Sequence, residues 1–163
     1  MNNKNREFFE KGWRLSVGIV LFNDRRRIFM GERIDNKGAW QMPQGGVDIS
    51  KNEGLFNAAK RELFEETGVK NIELLSESNH WHYYYLPNFL SKKLWKGKFI
   101  GQKQKWFAFD FIGNEKEIDL YQNTKPEFCN WQWVDPQRVC DLIINFKKDT
   151  YEKVLNEFRG IYN

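Results

Sequence analysis

Residues 44–53 read Q-G-G-V-D-I-S-K-N-E, and positions 61–69 read R-E-L-F-E-E-T-G-V. The stretch reads as a glycine turn, a loop, and a helix loaded with glutamates. Glu62, Glu65 and Glu66 stand at i, i+3 and i+4, which spreads them over about 100° of one helix face. Phe56, Ala59 and Leu63 form a neighbouring apolar stripe and are predicted to pack into the core. Gly68 follows the last turn and suits a left-handed cap. Three clustered carboxylates repel one another, so keeping them ionised requires a cation. Arg61 is expected to neutralise only one of them. Mg²⁺ prefers oxygen ligands and commonly shares them with substrate phosphates. Taken alone, E-x-x-E-E marks a solvated acidic face; the residues around it reverse that reading.

Working outward, the chain has 163 residues, a length suited to one domain (1–163) with a sizeable core. Its net charge of +4 is compatible with an anionic substrate. Aromatic residues make up 17% of the chain, more than packing alone needs, so stacking partners for bases are expected among them. Cys129 and Cys140 form no C-x-x-C pair, which argues against a disulfide framework or zinc site and for a reducing compartment. The polar N-terminus has no signal-peptide pattern and no apolar run is long enough to span a membrane, so a cytoplasmic protein is expected.

Residues 1–12 are expected to fray. Arg14–Asn23 reads as a buried strand and Arg27–Arg33 as its hairpin partner. After the glutamate helix, Ile72–Glu77 and His80–Tyr85 read as strands. His80 and His82 share a strand face, but no third metal ligand stands nearby, so polar strand side chains are the expectation. Pro87–Lys98 is a basic, aromatic connection. Gly101–Gly113 reads as a strand with an exposed beginning, and Glu117–Tyr121 as a short strand. Trp131–Val134 alternates like a strand. Asp135–Pro136 signals a helix start, and Val139, Leu142, Ile143 and Phe146 continue at helical spacing. Thr150–Tyr162 is a last amphipathic helix. The order predicts an α+β domain with a mixed sheet between helices.

Glu53, Arg61-Glu62-Leu63, Glu65-Glu66 and Gly68-Val69 together resemble the Nudix box, G-x5-E-x7-R-E-U-x-E-E-x-G-U, where U is aliphatic. Seven residues, rather than the family's five, separate Gly45 from Glu53. The resemblance implies an α/β/α sandwich with a mixed central sheet. It also implies a metal site of Glu62, Glu65, Glu66 and the Gly45 carbonyl, with Glu53, Arg61, Gly46 and Gly68 as structural members of the box.

Outside the box, W-Q-M-P-Q-G-G (40–46), G-Q-K-Q-K-W-F (101–107), P-E-F (126–128), W-Q-W (131–133) and F-K-K-D-x-Y (146–151) resemble one branch of that family. The branch contains bacterial RNA pyrophosphohydrolases and dinucleoside polyphosphate hydrolases. It implies Glu127 as a further metal ligand, and Arg14, Gln102, Lys103 and Lys105 as phosphate contacts. Leu15 stands where the family often has proline. Alternation puts Lys103 and Lys105 on one strand face and Gln102 and Gln104 on the other. Arg33, Tyr84, Ile144, Phe146 and Lys147 match positions that hold the first bases of an RNA. Stacking supplies much of the affinity for single-stranded ends.

The expected activity is Mg²⁺-dependent release of pyrophosphate from 5′-triphosphorylated RNA, with Mn²⁺ as a substitute ion. Glu65 is the first candidate base, Glu127 the second, and Glu62 and Glu66 complete the catalytic set. The main alternative is a dinucleoside polyphosphate hydrolase of Ap4A type. A non-catalytic RNA-end binding module is a third reading, and a sanitiser of oxidised nucleotides a fourth. Neither a membrane nor DNA is an expected partner.

Overall fold

The structure is a computed structural model and describes residues 5–163. The strands are β1 (Trp13–Phe22), β2 (Ile28–Arg33), β3 (Trp40–Gln41), β4 (Gln44–Gly46), β5 (Ile72–Glu77), β6 (His82–Tyr85), β7 (Gly101–Phe111) and β8 (Phe128–Val134). The helices are α1 (Leu55–Thr67), α2 (Asn88–Trp95), α3 (Val139–Leu142), α4 (Asn145–Glu157) and α5 (Arg159–Tyr162). The sheet runs β3-β2-β1-β7-β5, with β4 on β1, β6 on β7 and β8 on β2. It is mixed: β1 and β7 are parallel, and the other pairs are antiparallel.

Strand alternation sorts the core onto two faces. Leu15, Val17, Ile19 and Leu21 of β1 join Phe107 and Phe109 of β7 against Ala58, Ala59 and Leu63 of α1. Val20 and Phe22 join Trp106 and Ala108 against Tyr151, Val154 and Leu155 of α4. Helices therefore cover both faces, giving the expected α/β/α sandwich. No helix among the described residues is long and apolar enough to cross a membrane.

Several expectations are corrected. Residues 1–4 lie outside the described region, but 5–12 are anchored. Arg6–Phe8 forms a 3-10 turn, and Phe8 packs on Trp81 at 5.2 Å between ring centroids. Gln44–Gly46 is a strand on Ser16–Gly18, not a turn. Phe56 sits at the rim, 40% exposed, while Ala58 takes the core position. Pro87–Lys98 contains a helix, α2. The start of β7 is covered, because β1 and β6 pair with it from both sides and bury Gln102 and Gln104. Glu117–Tyr121 forms no strand; its first residue ends a 3-10 turn capped by Asn114. The helical pattern after Val139 breaks at Ile143 and Ile144, both extended, where Ile143 bridges to Trp40.

His82 Nε2 lies 2.8 Å from Glu157 Oε2, and His80 Nδ1 lies 3.4 Å from Glu157 Oε1. One carboxylate at the end of α4 thus serves both histidines and ties the helix to β6. Burial lowers the affinity of His82 for a proton despite that partner.

Candidate active site

Helix α1 ends where the sequence places its stop: Gly68 is left-handed (φ 75°) and its N–H donates to Phe64 O at 2.8 Å. Ala59, Leu63 and Glu66 follow each other at i, i+4 and i+7, so Glu66 continues the buried stripe and is only 5% exposed. Glu62 is also sheltered, with its side chain 14% exposed, whereas Glu65 is 41% exposed. The three carboxylates are therefore graded from core to solvent.

Burial raises the pKa of Glu66 well above the carboxylate range, and the charges of Glu62 and Glu127 push it further. The compensation it receives is a backbone N–H from Gln44 at 3.2 Å, with Lys147 acting at longer range. Burial also raises Glu62, against the opposing pull of Arg61.

Arg61 does more than neutralise one carboxylate. Its Nε and Nη2 hold Glu53 at 2.6 and 2.8 Å, and Nη2 also donates to Gly46 O at 2.8 Å. Its Nη1 reaches Glu62 at 2.8 Å and Glu65 at 3.1 Å. The Glu53 hydrogen bonds are the largest influence holding its proton more tightly than usual. Glu53 also accepts from Asp48 N at 2.9 Å, while Glu53 N donates to Asp48 O at 3.1 Å. That reciprocal pair closes the lengthened loop, and Arg61, bonded to Glu53 and Gly46 O, fixes α1 to it and to β4.

The two glycines of β4 are there for clearance. A Cβ on Gly45 would lie 2.0 Å from the carboxyl carbon of Glu62, and one on Gly46 would lie 2.4 Å from Arg14 Nη2. Arg14 in turn lies over the Trp95 ring at 5.5 Å from its centroid. Register pairs Arg14 with Gln102, so both face the α4 side of the sheet. Gln102 Oε1 accepts from Ser16 at 2.8 Å and from Gln104 at 3.1 Å.

Lys103 and Lys105 face the opposite side. They lie over Trp81 at 4.8 and 5.3 Å and pair with Glu10 and Glu77 at 3.3 and 3.8 Å. Of the expected phosphate contacts, the two lysines thus lie on the sheet face opposite Arg14 and Gln102, as alternation requires.

Arg33, Tyr84, Ile144, Phe146 and Lys147 come together, with Gln102, as walls of one cleft. The Tyr84 and Phe146 rings stand 5.9 Å apart, and Lys147 Nζ lies 5.3 Å from the centroid of Tyr84. Arg33 grips Asp35 with two hydrogen bonds, at 2.8 and 2.7 Å. Burial raises the Tyr84 phenol to about 12, so it stays neutral. Burial, then the charge of Arg33, lowers Lys147 to about 7.

Sequence reasoning did not assign Gln41, Gln44 or Trp95 a role. Gln41 Oε1 joins Lys147 and Arg33, and Gln44 Nε2 donates to Tyr84 OH at 3.1 Å. Both glutamines stand in the W-Q-M-P-Q-G-G motif, which was the available signal. Trp95 carried none, because α2 itself was read as a connection.

Glu127 lies just before β8, and its backbone O accepts from Ile34 N at 3.0 Å. Its charge acts on Glu66, Arg33 and Lys147. Among the described residues, no three acidic, histidine or cysteine side chains converge closely enough to hold an ion. The expected four-glutamate convergence is therefore not realised in this conformation: Arg61 draws Glu62 and Glu65 to itself, and Glu66 turns to Gln44. The donor chemistry nevertheless fits a hard divalent cation. Buried carboxylates that raise one another's proton affinity have oxygen lone pairs to offer, and oxygen is what Mg²⁺ takes.

A layered mixed sheet with a glutamate helix braced through Glu53 and Arg61 is the architecture of a known class. The NUDIX domain model matches residues 12–157, and the chain belongs to the Nudix family. The chain is 46% identical over 151 residues to an RNA pyrophosphohydrolase of Pelagibacter ubique, covering 92% of this chain and 94% of that one. It is 40% identical over 162 residues to the RNA pyrophosphohydrolase of Rickettsia typhi, covering 99% of each. Among solved structures, the E. coli dihydroneopterin triphosphate pyrophosphohydrolase superposes with a TM-score of 0.66 at 21% identity, covering 90% of this chain and 99% of that one. A C. elegans Ap4A hydrolase binary complex gives 0.65 at 17%, covering 90% and 98%. At those identities the structural likeness speaks for the fold.

Proposed function

We propose that this protein is a divalent-metal-dependent RNA pyrophosphohydrolase. It would remove pyrophosphate from the 5′ end of triphosphorylated RNA, leave a 5′ monophosphate and so promote mRNA decay in the cytoplasm. The observation that carries this reading is the double engagement of Gln44. Its backbone N–H holds Glu66 and its side chain holds Tyr84, so the carboxylate helix and the aromatic, cationic cleft meet at one residue. The names borne by relatives that match this chain nearly end to end support the same reading.

In this reading Glu62, Glu65, Glu66 and Glu127, with the Gly45 carbonyl, hold Mg²⁺ or Mn²⁺. When bound, the metal supplies Lewis-acid polarisation of the phosphoryl oxygens and a more acidic water. Glu65, the most exposed of the three helix carboxylates, accepts the proton from the attacking water, with Glu127 as the second candidate. Arg14 and Gln102 orient the phosphate chain and offset its charge. Tyr84 and Phe146 hold the first bases by stacking, flanked by Arg33, Lys147 and the apolar edge of Ile144.

A second reading is a dinucleoside polyphosphate hydrolase. It draws on a hollow of about 400 Å³ that shares Arg14 and is lined by Trp13, Lys98 and Phe99, where a second nucleoside would sit. Product analysis with 5′-labelled RNA bearing three phosphates tests the first reading. Release of labelled pyrophosphate with a kcat/KM above that for Ap4A supports it; hydrolysis of Ap4A alone replaces it with the second.

A further inference from the structure

Helix α2 carries an exposed stripe with no use in the site described so far. Phe89, Lys92 and Lys93 follow each other at i, i+3 and i+4, Lys96 is the left-handed residue that caps the helix end (φ 53°), and all four are exposed, Phe89 by 69%. Among the described residues none of these lysines has a carboxylate within ion-pairing distance. Residues 78–109 contain six lysines and no aspartate or glutamate. The inner side of α2 is already committed: Leu90, Leu94 and Trp95 line the base cleft, and Lys93 stands at its rim.

Lysines in the last turn of a helix also answer its dipole, and that alone accounts for one or two of them. It does not account for a phenylalanine held out in water on the same stripe. A row of unneutralised cations beside an exposed ring is what a single nucleic-acid strand presents its phosphates and base faces to. Leu90, Lys93 and Leu94 form one wall of the cleft, so a strand that leaves it on that side crosses α2.

We propose that the outer face of α2 binds the body of a single-stranded RNA, downstream of the nucleotides held in the cleft. The inference deepens the proposed function and rests on that reading. It makes the protein a reader of RNA length, which a dinucleoside polyphosphate cannot exploit.

The test uses Lys92→Gln/Lys96→Gln and Phe89→Ser, none of which touches the cleft. Substrates are triphosphorylated RNAs of two and of roughly twelve nucleotides, with kcat/KM followed against KCl. The parent protein should prefer the longer RNA. The double lysine variant should lose about 1.4 units of the slope of log(kcat/KM) against log[salt] on that RNA, two contacts at about 0.7 each. Phe89→Ser should lower kcat/KM on the longer RNA by about tenfold with little change in slope. The two-nucleotide substrate should be unaffected by either variant, which also shows that the fold is intact.

A fluorescent twelve-nucleotide RNA with a 5′ hydroxyl reports binding by anisotropy without any hydrolysis. Weakened binding in the lysine variant supports the inference even if the parent proves to hydrolyse a different anhydride. Unchanged binding and unchanged length preference overturn it, as they would if the stripe served an acidic protein surface.

Discussion

Lys147 Nζ and Arg33 Nη1 share one acceptor, Gln41 Oε1, at 2.9 and 3.1 Å. Two cations are thus held on a single neutral amide, and one of them is buried. The consequence is a site whose charge depends on pH. The pKa of Lys147 falls from 10.5 to about 7 on folding. Below about pH 7 both the folded and unfolded chains hold the proton, and the fold carries a desolvated cation. Between about 7 and 10.5 the unfolded chain holds more protons, so stability from this group rises with pH. Lys147→Met should therefore be more stable than the parent at pH 6, with the gap closing by pH 9 in denaturant titrations. The parent's KM for triphosphorylated RNA should rise over the same range, and the variant's should not.

Glu66 gives the opposite sign. Its folded pKa is raised, so its neutral form stabilises the fold at low pH, and that contribution is lost as pH climbs past the ordinary carboxylate range. Glu66→Gln should raise the melting temperature of metal-free protein at pH 8. It should also abolish the stabilisation that Mg²⁺ gives the parent and cut turnover by orders of magnitude. A variant that keeps both turnover and Mg²⁺-dependent stabilisation would remove Glu66 from the metal site. Glu65→Gln should leave stability nearly unchanged while costing about 10²–10⁴ in kcat, the range expected for loss of a general base.

The paired glycines of β4 should separate two functions. Gly45→Ala drives a methyl into the Glu62 carboxyl group, so it should lower kcat and Mg²⁺ affinity together. Gly46→Ala meets the tip of Arg14, so it should raise KM for RNA with a smaller change in kcat. Steady-state kinetics on both variants, with calorimetric Mg²⁺ titration, decides the split. Equal effects on kcat and KM in both would show that the glycines serve the backbone alone.

Glu157 has a structural prediction. It accepts from His82, from His80 N at 3.2 Å and from Asn79 N. Glu157→Ala strips a buried histidine of its partner, so it should destabilise the protein by about 1–3 kcal/mol. The loss should appear in urea unfolding at pH 7.5, with the kcat of the surviving folded protein near that of the parent.

Much of this was legible because it rests on local rules. The β-branched run of β1 and the left-handed Gly68 follow from spacing and residue type, and the structural role of Glu53 and Arg61 from the box they resemble. The members of the aromatic, cationic cleft were legible only through family resemblance, since Arg33, Tyr84 and Lys147 lie on three separate elements. Alternation separates Lys103 from Gln102, but which of the two strand faces lines the cleft escaped the sequence reading. Lys103 and Gln102 are neighbours in sequence, yet pairing with β1 and β6 sends one to Trp81 and the other to the cleft. The glycines of β4 read as a turn, because a demand for clearance leaves the same residues in a sequence as a demand for positive φ. Helix α2 was hidden by its basic, aromatic composition, and the break at Ile143 by apolar spacing that continues past it.

The parallel pair at the centre of the sheet has a consequence for biosynthesis. Ten consecutive partners, from Trp13 with Gly101 to Phe22 with Asp110, join a strand made early in translation to one made much later. A nascent chain can pair β1 with β2 and β4 early, but its other edge stays open until the later strand leaves the ribosome. Closing so long a loop costs chain entropy before the pairing repays it, which slows folding relative to a domain held by local contacts. In that interval the growing polypeptide is a natural client for chaperones that shield sticky segments.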